Sequence, residues 1–265
     1  MCRSRGAGLT LLLPHGTGGA THSWRGLGPL LAARFTIVAP DLPGHGFTET
    51  PADTGMSLPG MAGLMAVLLR ERGVAPVGAV GRSAGAAVAV RMALDGALPD
   101  ARARAAITGA LLPFPGFAQT LFPRLAKLLF VNPIVPRLFT LGAGSDAGVA
   151  GFLARASGSA VRPEYAADYA RLFRAHGRVA GVLGMMASWG LAALERALLR
   201  LAVPLTLTLI VGEGDAAVPP SVAARVAQAV SHASVRSLAG LGHLAHKEAP
   251  DGVAAIVTQA VEGTG

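Results

Sequence analysis

Short apolar, β-favouring runs that end in glycine-rich turns recur along this chain. Each is followed by a longer helical pattern, an alternation that restricts the chain to βαβ units and a parallel sheet. The runs are Leu9–Leu13, Phe35–Ala39, Val77–Val80, Ala105–Thr108, Leu205–Val211 and Val235–Leu238. Helices are expected near Trp24–Ala33, Leu58–Arg72, Ala84–Leu94, Ser221–Val230 and Pro250–Val261. Parallel strands covered on both faces should be almost continuously apolar, as Phe35-Thr36-Ile37-Val38-Ala39 is. With 265 residues, 52% of them hydrophobic and only 14% charged, the chain has ample material for one large core.

The stretch 111–201 breaks the alternation. It is rich in Leu, Phe, Met, Ala and Pro at helical spacing and holds no convincing strand. Lying between two sheet strands, it is expected to be a helical lid over the sheet's C-terminal edge. The organisation read from sequence is therefore a first core part (1–110), the lid (111–201) and a second core part (202–265) that fold as one unit.

The formal net charge is +8, and the sequence pI is near 11.1. The cations are scattered arginines without a continuous stripe, and aromatics are only 5%, a footprint that argues against nucleic acid. Attraction to an anionic membrane surface or an acidic substrate fits better. A single cysteine, Cys2, excludes an internal disulfide and a cysteine metal cluster and suits a reducing, cytoplasmic location. Arg3 and Arg5 before Leu9–Leu13 imitate a secretion signal, but the apolar run is short and leads into Pro14-His15-Gly16. Leu121–Leu141 is interrupted by Arg124, Lys127, Pro133, Pro136 and Arg137, too often for a membrane span.

Three turns carry the chemistry. Gly81-Arg82-Ser83-Ala84-Gly85 joins an expected strand to an expected helix. In such an elbow, small residues two positions either side of a serine let neighbouring backbone approach, and the helix N-terminus faces developing negative charge. Ser83 is the candidate nucleophile. Gly242-His243 follows the last strand, where an imidazole can act as general base. His246, three residues on, is expected to cap the final helix or bond Glu248, while His15 and His45 brace loops. Asp215, in Gly212-Glu213-Gly214-Asp215, is the candidate acid that orients His243. Glu213 is read as bracing that loop. The other place for an acid, Ala110–Gly116, holds no carboxylate.

Two backbone N–H donors must hold a developing oxyanion. Ala84, after the nucleophile, is expected to supply one, and Thr17 in His15-Gly16-Thr17-Gly18-Gly19 the other. No Lys-Ser/Thr follows that loop as a phosphate-cradling P-loop requires, and its glycine spacing does not suit a dinucleotide. Phe114, Phe117, Leu121, Met185, Met186 and Trp189 form a stripe that is either plain core or a lipophilic pocket. Arg82 either steers an anionic substrate or points away from Oγ and braces loops. No metal or organic cofactor is implied.

With these turns in the order nucleophile, acid, base, and with Asp41-Leu42-Pro43-Gly44-His45-Gly46 added, the sequence resembles the α/β-hydrolase superfamily over nearly its whole length. It also resembles a narrower group, the magnesium chelatase accessory proteins of bacteriochlorophyll biosynthesis (BchO type). The stretches that carry this are His15-Gly16-Thr17-Gly18 with Ala20-Thr21-His22-Ser23-Trp24, Gly109-Ala110-Leu111-Leu112-Pro113-Phe114, Leu125-Ala126-Lys127-Leu128-Leu129 and Gly184-Met185-Met186-Ala187-Ser188-Trp189. The resemblance implies an α/β-hydrolase fold with a helical lid. It also implies a role beside magnesium insertion into a porphyrin, with chelatase subunits as partners and a small lipophilic, tetrapyrrole-related substrate.

Three departures stand out. Arg82 occupies a position where relatives often carry His. Leu205-Thr206-Leu207-Thr208-Leu209 looks like a duplicated Leu-Thr pair, which the sheet can absorb at the expected cost of a shifted Asp215. The chain also begins close to the strand before the oxyanion loop, as if N-terminal strands were missing. That would leave Phe35–Ala39 as an exposed apolar edge prone to self-association.

Overall fold

A computed structural model describes residues 2–5, 8–51, 53–99, 103–113, 145–200 and 205–263. Seven strands form one sheet: β1 (Cys2–Arg5), β2 (Thr10–Leu12), β3 (Thr36–Pro40), β4 (Gly78–Arg82), β5 (Ala103–Ile107), β6 (Leu207–Gly212) and β7 (Ala233–Leu238). Their spatial order is β1-β3-β2-β4-β5-β6-β7. All neighbours run parallel except β1, which pairs antiparallel with β3. The α/β class and the mainly parallel sheet agree with the sequence pattern.

The apolar strands are buried on both faces. Leu11, Leu13, Ile37, Ala39, Val80 and Ile210 pack into one core with Trp24, Leu27, Val253 and Val257. Leu12, Val38, Ala79, Leu207, Leu209 and Val211 pack into the other, with Met61, Met65, Val88, Val222 and Val226. This is the two-residue alternation of a strand dividing its side chains between two layers. The helices that supply those layers are α1 (Leu27–Ala32), α2 (Leu58–Glu71), α3 (Ala84–Leu94), α8 (Pro220–Ala229) and α10 (Pro250–Glu262). Between β5 and β6 lie α4 (Asp146–Ser157), α5 (Pro163–Phe173), α6 (His176–Ser188) and α7 (Ala192–Leu199), and a short α9 (Ala245–Glu248) precedes α10. Ser57 and Ser145 cap α2 and α4, each accepting a hydrogen bond from the N–H three residues on.

One expectation is corrected here. Phe35–Ala39 is not a bare edge, because Cys2–Arg5 pairs with Ile37–Pro40 along it. The argument for self-association through that edge falls with it. The outer strands are β1 and β7, and on β7 the exposed Arg236 and Ser237 put polar and charged side chains where they discourage strand addition. The repeated Leu-Thr pair is absorbed ahead of β6, which starts at Leu207 and keeps register with both neighbours, ending at Gly212 opposite Leu238.

Among the described residues no single helix is long and apolar enough to cross a membrane. Gly177–Ser188 with Ala192–Leu199 reaches that length only as a pair bent by 53°.

Candidate active site

Ser83 sits between β4 and α3 with φ +52° and ψ −122°, a conformation side-chain-bearing residues rarely adopt. Its N–H donates to Ile107 O at 3.0 Å, and its own carbonyl accepts from Ala86 N and Ala110 N. The turn is tight because nothing on Gly81 or Gly85 obstructs it. A Cβ on Gly81 would overlap the Ala86 backbone, and one on Gly85 would overlap the carbonyls of Pro14 and His15. The loop after β2 therefore lies directly against the elbow. A Cβ on Gly16 would be 2.9 Å from Ser83 Cβ, and Gly19 N closes the loop on Gly16 O at 3.0 Å. Thr17 extends its hydroxyl to Met185 Sδ at 3.8 Å. Ala84 opens α3, and the first N–H groups of a helix have no intrahelical acceptor.

Asp215 and His243 meet on the other side. His243 Nδ1 is 2.8 Å from Asp215 Oδ2, with both side chains buried. Asp215 Oδ1 accepts from Ala217 N and Val218 N, each at 2.8 Å, so the carboxylate orientation is fixed from behind. Burial pushes the His243 imidazole below its usual value, and Arg82 adds to that, against the Asp215 hydrogen bond, which pulls it up. Among the described residues no hydrogen bond joins Ser83 Oγ to the His243 ring. Such bonds often tighten only once substrate is bound.

The loop that carries His243 is held at four points. His243 N donates to Ser157 O at 2.8 Å, and Thr108 Oγ1 donates to His243 O at 3.0 Å. Glu248 accepts from Gly242 N at 3.0 Å, Ser159 Oγ at 2.7 Å and Ala160 N at 2.9 Å, while Ser159 Oγ accepts from Leu244 N. Gly158, at φ +67°, has no room for a Cβ beside the Gly214 carbonyl, and Gly242 packs on Gly158. The acid loop, the histidine loop and the α4–α5 connection thus touch backbone to backbone. Replacing Glu248 by alanine strands three donors. The expected cost is about 2 kcal/mol, read from the shift of the urea midpoint. Any hydrolysis that depends on His243 should lose about tenfold in kcat with KM nearly unchanged as the ring loses its position.

Other expectations are adjusted. His246 neither caps a helix nor bonds Glu248: it is fully buried, and neither ring nitrogen has a hydrogen-bond partner among the described residues. Glu213 does not brace its loop with its side chain, which is exposed; the loop is tied by Glu213 N to Leu238 O at 3.1 Å. Arg82 is only 5% exposed and places Nη1 beside Gly16, in the interior rather than on a substrate approach. Met185 is buried in the core, Met186 and Trp189 are half-buried, and Trp189 packs on that core. Phe114, Phe117 and Leu121 lie outside the described residues. His15 and His45 do brace loops: His15 accepts from Leu42 N at 3.0 Å and pairs with Gly16 O, and His45 pairs with Pro43 O.

Sequence reading passed over the roles of Asp41, Thr108 and Glu248. Asp41 accepts from Thr21 N, Thr21 Oγ1 and Phe47 N. Burial works against its charge, but these hydrogen bonds outweigh it and hold the carboxyl below its usual value. The Asp41-Leu42-Pro43-Gly44-His45-Gly46 motif was the available signal. Thr108, at φ +46°, has no local signal at all.

The buried histidines are expected to make the fold acid-labile. Burial lowers His15 to about 3 and His22 to about 4, and His45 and His246 also fall. Between those values and 6.5 the unfolded chain binds protons the native one refuses, so stability falls as pH drops. It is fully present above about pH 6.5 and is lost progressively toward pH 3–4. A loss on the order of several kcal/mol is expected, read as Tm against pH.

This geometry coincides with a family match. Residues 10–250 fit the model of the alpha/beta hydrolase fold. The chain belongs to the α/β-hydrolase family. It is 38% identical to the "Magnesium-chelatase 30 kDa subunit" of Rhodobacter capsulatus, over 97% of this chain and 88% of that one. Among solved structures, an alpha/beta hydrolase fold protein from Burkholderia ambifaria superposes with TM-score 0.80 at 22% identity, covering 97% of this chain and 92% of that one. An esterase from Thermogutta terrifontis superposes with TM-score 0.77 at 21% identity, covering 100% and 93%. At those identities the two structures speak for the fold alone.

Proposed function

We propose that this member of the α/β-hydrolase family is a serine hydrolase that cleaves an ester or thioester of a lipophilic, tetrapyrrole-related compound. Its context, carried over from the chelatase subunit it resembles, is magnesium chelatase and bacteriochlorophyll synthesis. The observation that carries the catalytic reading is the 2.8 Å Asp215–His243 contact on the loops flanking the positive-φ Ser83 turn.

In this reading His243 Nε2 takes the Ser83 Oγ proton as Oγ bonds to the acyl carbon. The Ala84 and Thr17 N–H groups hold the resulting oxyanion. The intermediate collapses as His243 returns the proton to the departing alcohol or thiol. Water then repeats the sequence and frees the acid. Asp215 keeps Nδ1–H in place and offsets the imidazolium charge. The described helices between β5 and β6, α4 to α7, are assigned to the lid, and Met185, which accepts from the Thr17 hydroxyl, to the acyl pocket with Met186 and Trp189.

Labelling with a fluorophosphonate followed by peptide mapping tests this: a single adduct on Ser83 is expected. An unlabelled wild-type protein overturns it. A second reading is supported by the resemblance to a chelatase subunit together with the unmade Ser83–His243 hydrogen bond. In it, the fold serves as a non-catalytic accessory that binds a porphyrin or the chelatase. Full pigment synthesis by a strain carrying Ser83→Ala would favour that alternative.

A further inference from the structure

Behind the nucleophile the protein buries an unusual concentration of positive and donor groups. Lys247 is 2% exposed, His246 fully buried and Arg82 5% exposed. Lys247 Nζ lies 4.2 Å from the centre of the Tyr165 ring and 5.3 Å from that of Tyr169. The His246 ring stands 5.6 Å from Trp24, and the His22 ring meets the edge of Tyr169 at 4.9 Å. The turn Thr21–Trp24, α5 and α9 thus converge on one place, with Arg82 entering from the elbow close enough to act on His22, His243, His246 and Lys247.

The polar atoms here are left over. Arg82 Nε, Lys247 Nζ, both His246 ring nitrogens, His22 Nε2, Trp24 Nε1 and Tyr169 Oη have no hydrogen-bond partner among the described residues. The carboxylate that acts on both Lys247 and His22 is Asp168, which is already paired with Arg25 at 3.1 Å and faces Arg171 at 3.9 Å. Arginine, lysine and indole nitrogens donate and do not accept, so they cannot satisfy one another. A guanidinium also keeps its charge when buried, and an unpaired buried charge costs several kcal/mol. A partner that only accepts and carries negative charge meets both demands.

We propose that this cluster is a carboxylate-binding site, in which one carboxylate bridges Arg82 and Lys247 between the aromatic walls of Trp24, Tyr165 and Tyr169. Arginine suits the planar, two-oxygen geometry of a carboxylate, and lysine supplies a second point charge. The flat rings around it suit a carboxylate attached to an apolar or aromatic body. Because Arg82 is the residue before Ser83 and its charge acts on His243, occupation of the site would be felt at both. The site does not rest on the hydrolytic reading, since none of its groups takes part in the acyl chemistry.

The test is thermal unfolding at constant ionic strength with sodium acetate, 1-naphthoate, the uncharged 1-naphthamide, or inorganic phosphate. Acetate and 1-naphthoate are expected to raise Tm saturably, by about 5 °C at full occupancy. The amide should not. Tighter binding of naphthoate than of acetate marks the site as reading the carboxylate of a larger ligand; equal binding marks a site for the free ion. Lys247→Met should keep or raise the unliganded Tm, because it removes a buried amine with no hydrogen-bond partner among the described residues, and weaken carboxylate binding about tenfold or more. Ser83→Ala should retain the whole shift, which separates this site from the fate of the catalytic reading. If Lys247→Met does not fold, quenching of Trp24 fluorescence in Trp189→Phe compares naphthoate with naphthamide directly. No carboxylate effect, an equal effect of the amide, a stronger effect of phosphate, or an undiminished response in Lys247→Met overturns the proposal.

Discussion

Ser83→Ala is expected to abolish fluorophosphonate labelling and lower hydrolysis of an activated ester by about 10⁴-fold or more, while leaving Tm within a degree or two of wild type. The size follows from the role proposed for Ser83: removing a nucleophile removes the covalent route and leaves only binding and oxyanion stabilisation. Stability is spared because alanine and serine share the strain of φ +52°, and the backbone hydrogen bonds at Ser83 N and O do not involve the hydroxyl. Glycine at the same position relieves that strain. Ser83→Gly should therefore be about 1 kcal/mol more stable than Ser83→Ala and equally inactive. A Ser83→Ala protein that retains more than about a tenth of wild-type activity refutes nucleophilic catalysis at this residue.

Gly85→Ala is expected to destabilise the fold by more than about 3 kcal/mol, or to prevent folding. The added Cβ overlaps the Pro14 and His15 carbonyls, which are backbone and cannot swing aside like a side chain. Relief requires separating the loop after β2, which carries Thr17, from the elbow. Any protein recovered should show kcat reduced about 10²-fold or more. Gly63→Ala is the control. Gly63 lies on the exposed side of α2 with no atom within 4 Å of its would-be Cβ, so the same substitution should stabilise by about 0.5–1 kcal/mol. Urea midpoints of the two variants measure this opposition of sign.

The layered sheet was readable because burial leaves a local trace. Leu11-Leu12-Leu13 and Phe35–Ala39 can be so continuously apolar only if both faces are covered. The turns that carry the candidates Ser83, Asp215 and His243 were readable because tight turns after strands demand glycine, and those glycines punctuate the sequence around each one. The β1 edge was not readable, since Cys-Arg-Ser-Arg has no strand pattern and its pairing comes from the backbone of β3. Nor were Ser157, Ser159 and Glu248 as supports of the His243 loop, because the bonds that define them span 80 residues or more between Ser159 or Ala160 and the loop.

Chain order, strand spacing and glycine placement by themselves determined the α/β class, the elbow at Ser83 and the two loops that bear Asp215 and His243. Tertiary structure decided the surroundings of two nearby histidines. The sequence singled out His243, and its ring does point at Asp215; His246, expected to cap a helix or bond Glu248, is instead buried with no hydrogen-bond partner among the described residues. It also decided that the Leu-Thr repeat leaves Asp215 in place, through ladder pairing to β5 and β7 that no single strand encodes. Finally, it carried Arg82 and Lys247 into one interior from positions 165 residues apart. Local sequence sets backbone preference, but the neighbours of a buried charge come from distant segments, and those neighbours determine its chemistry.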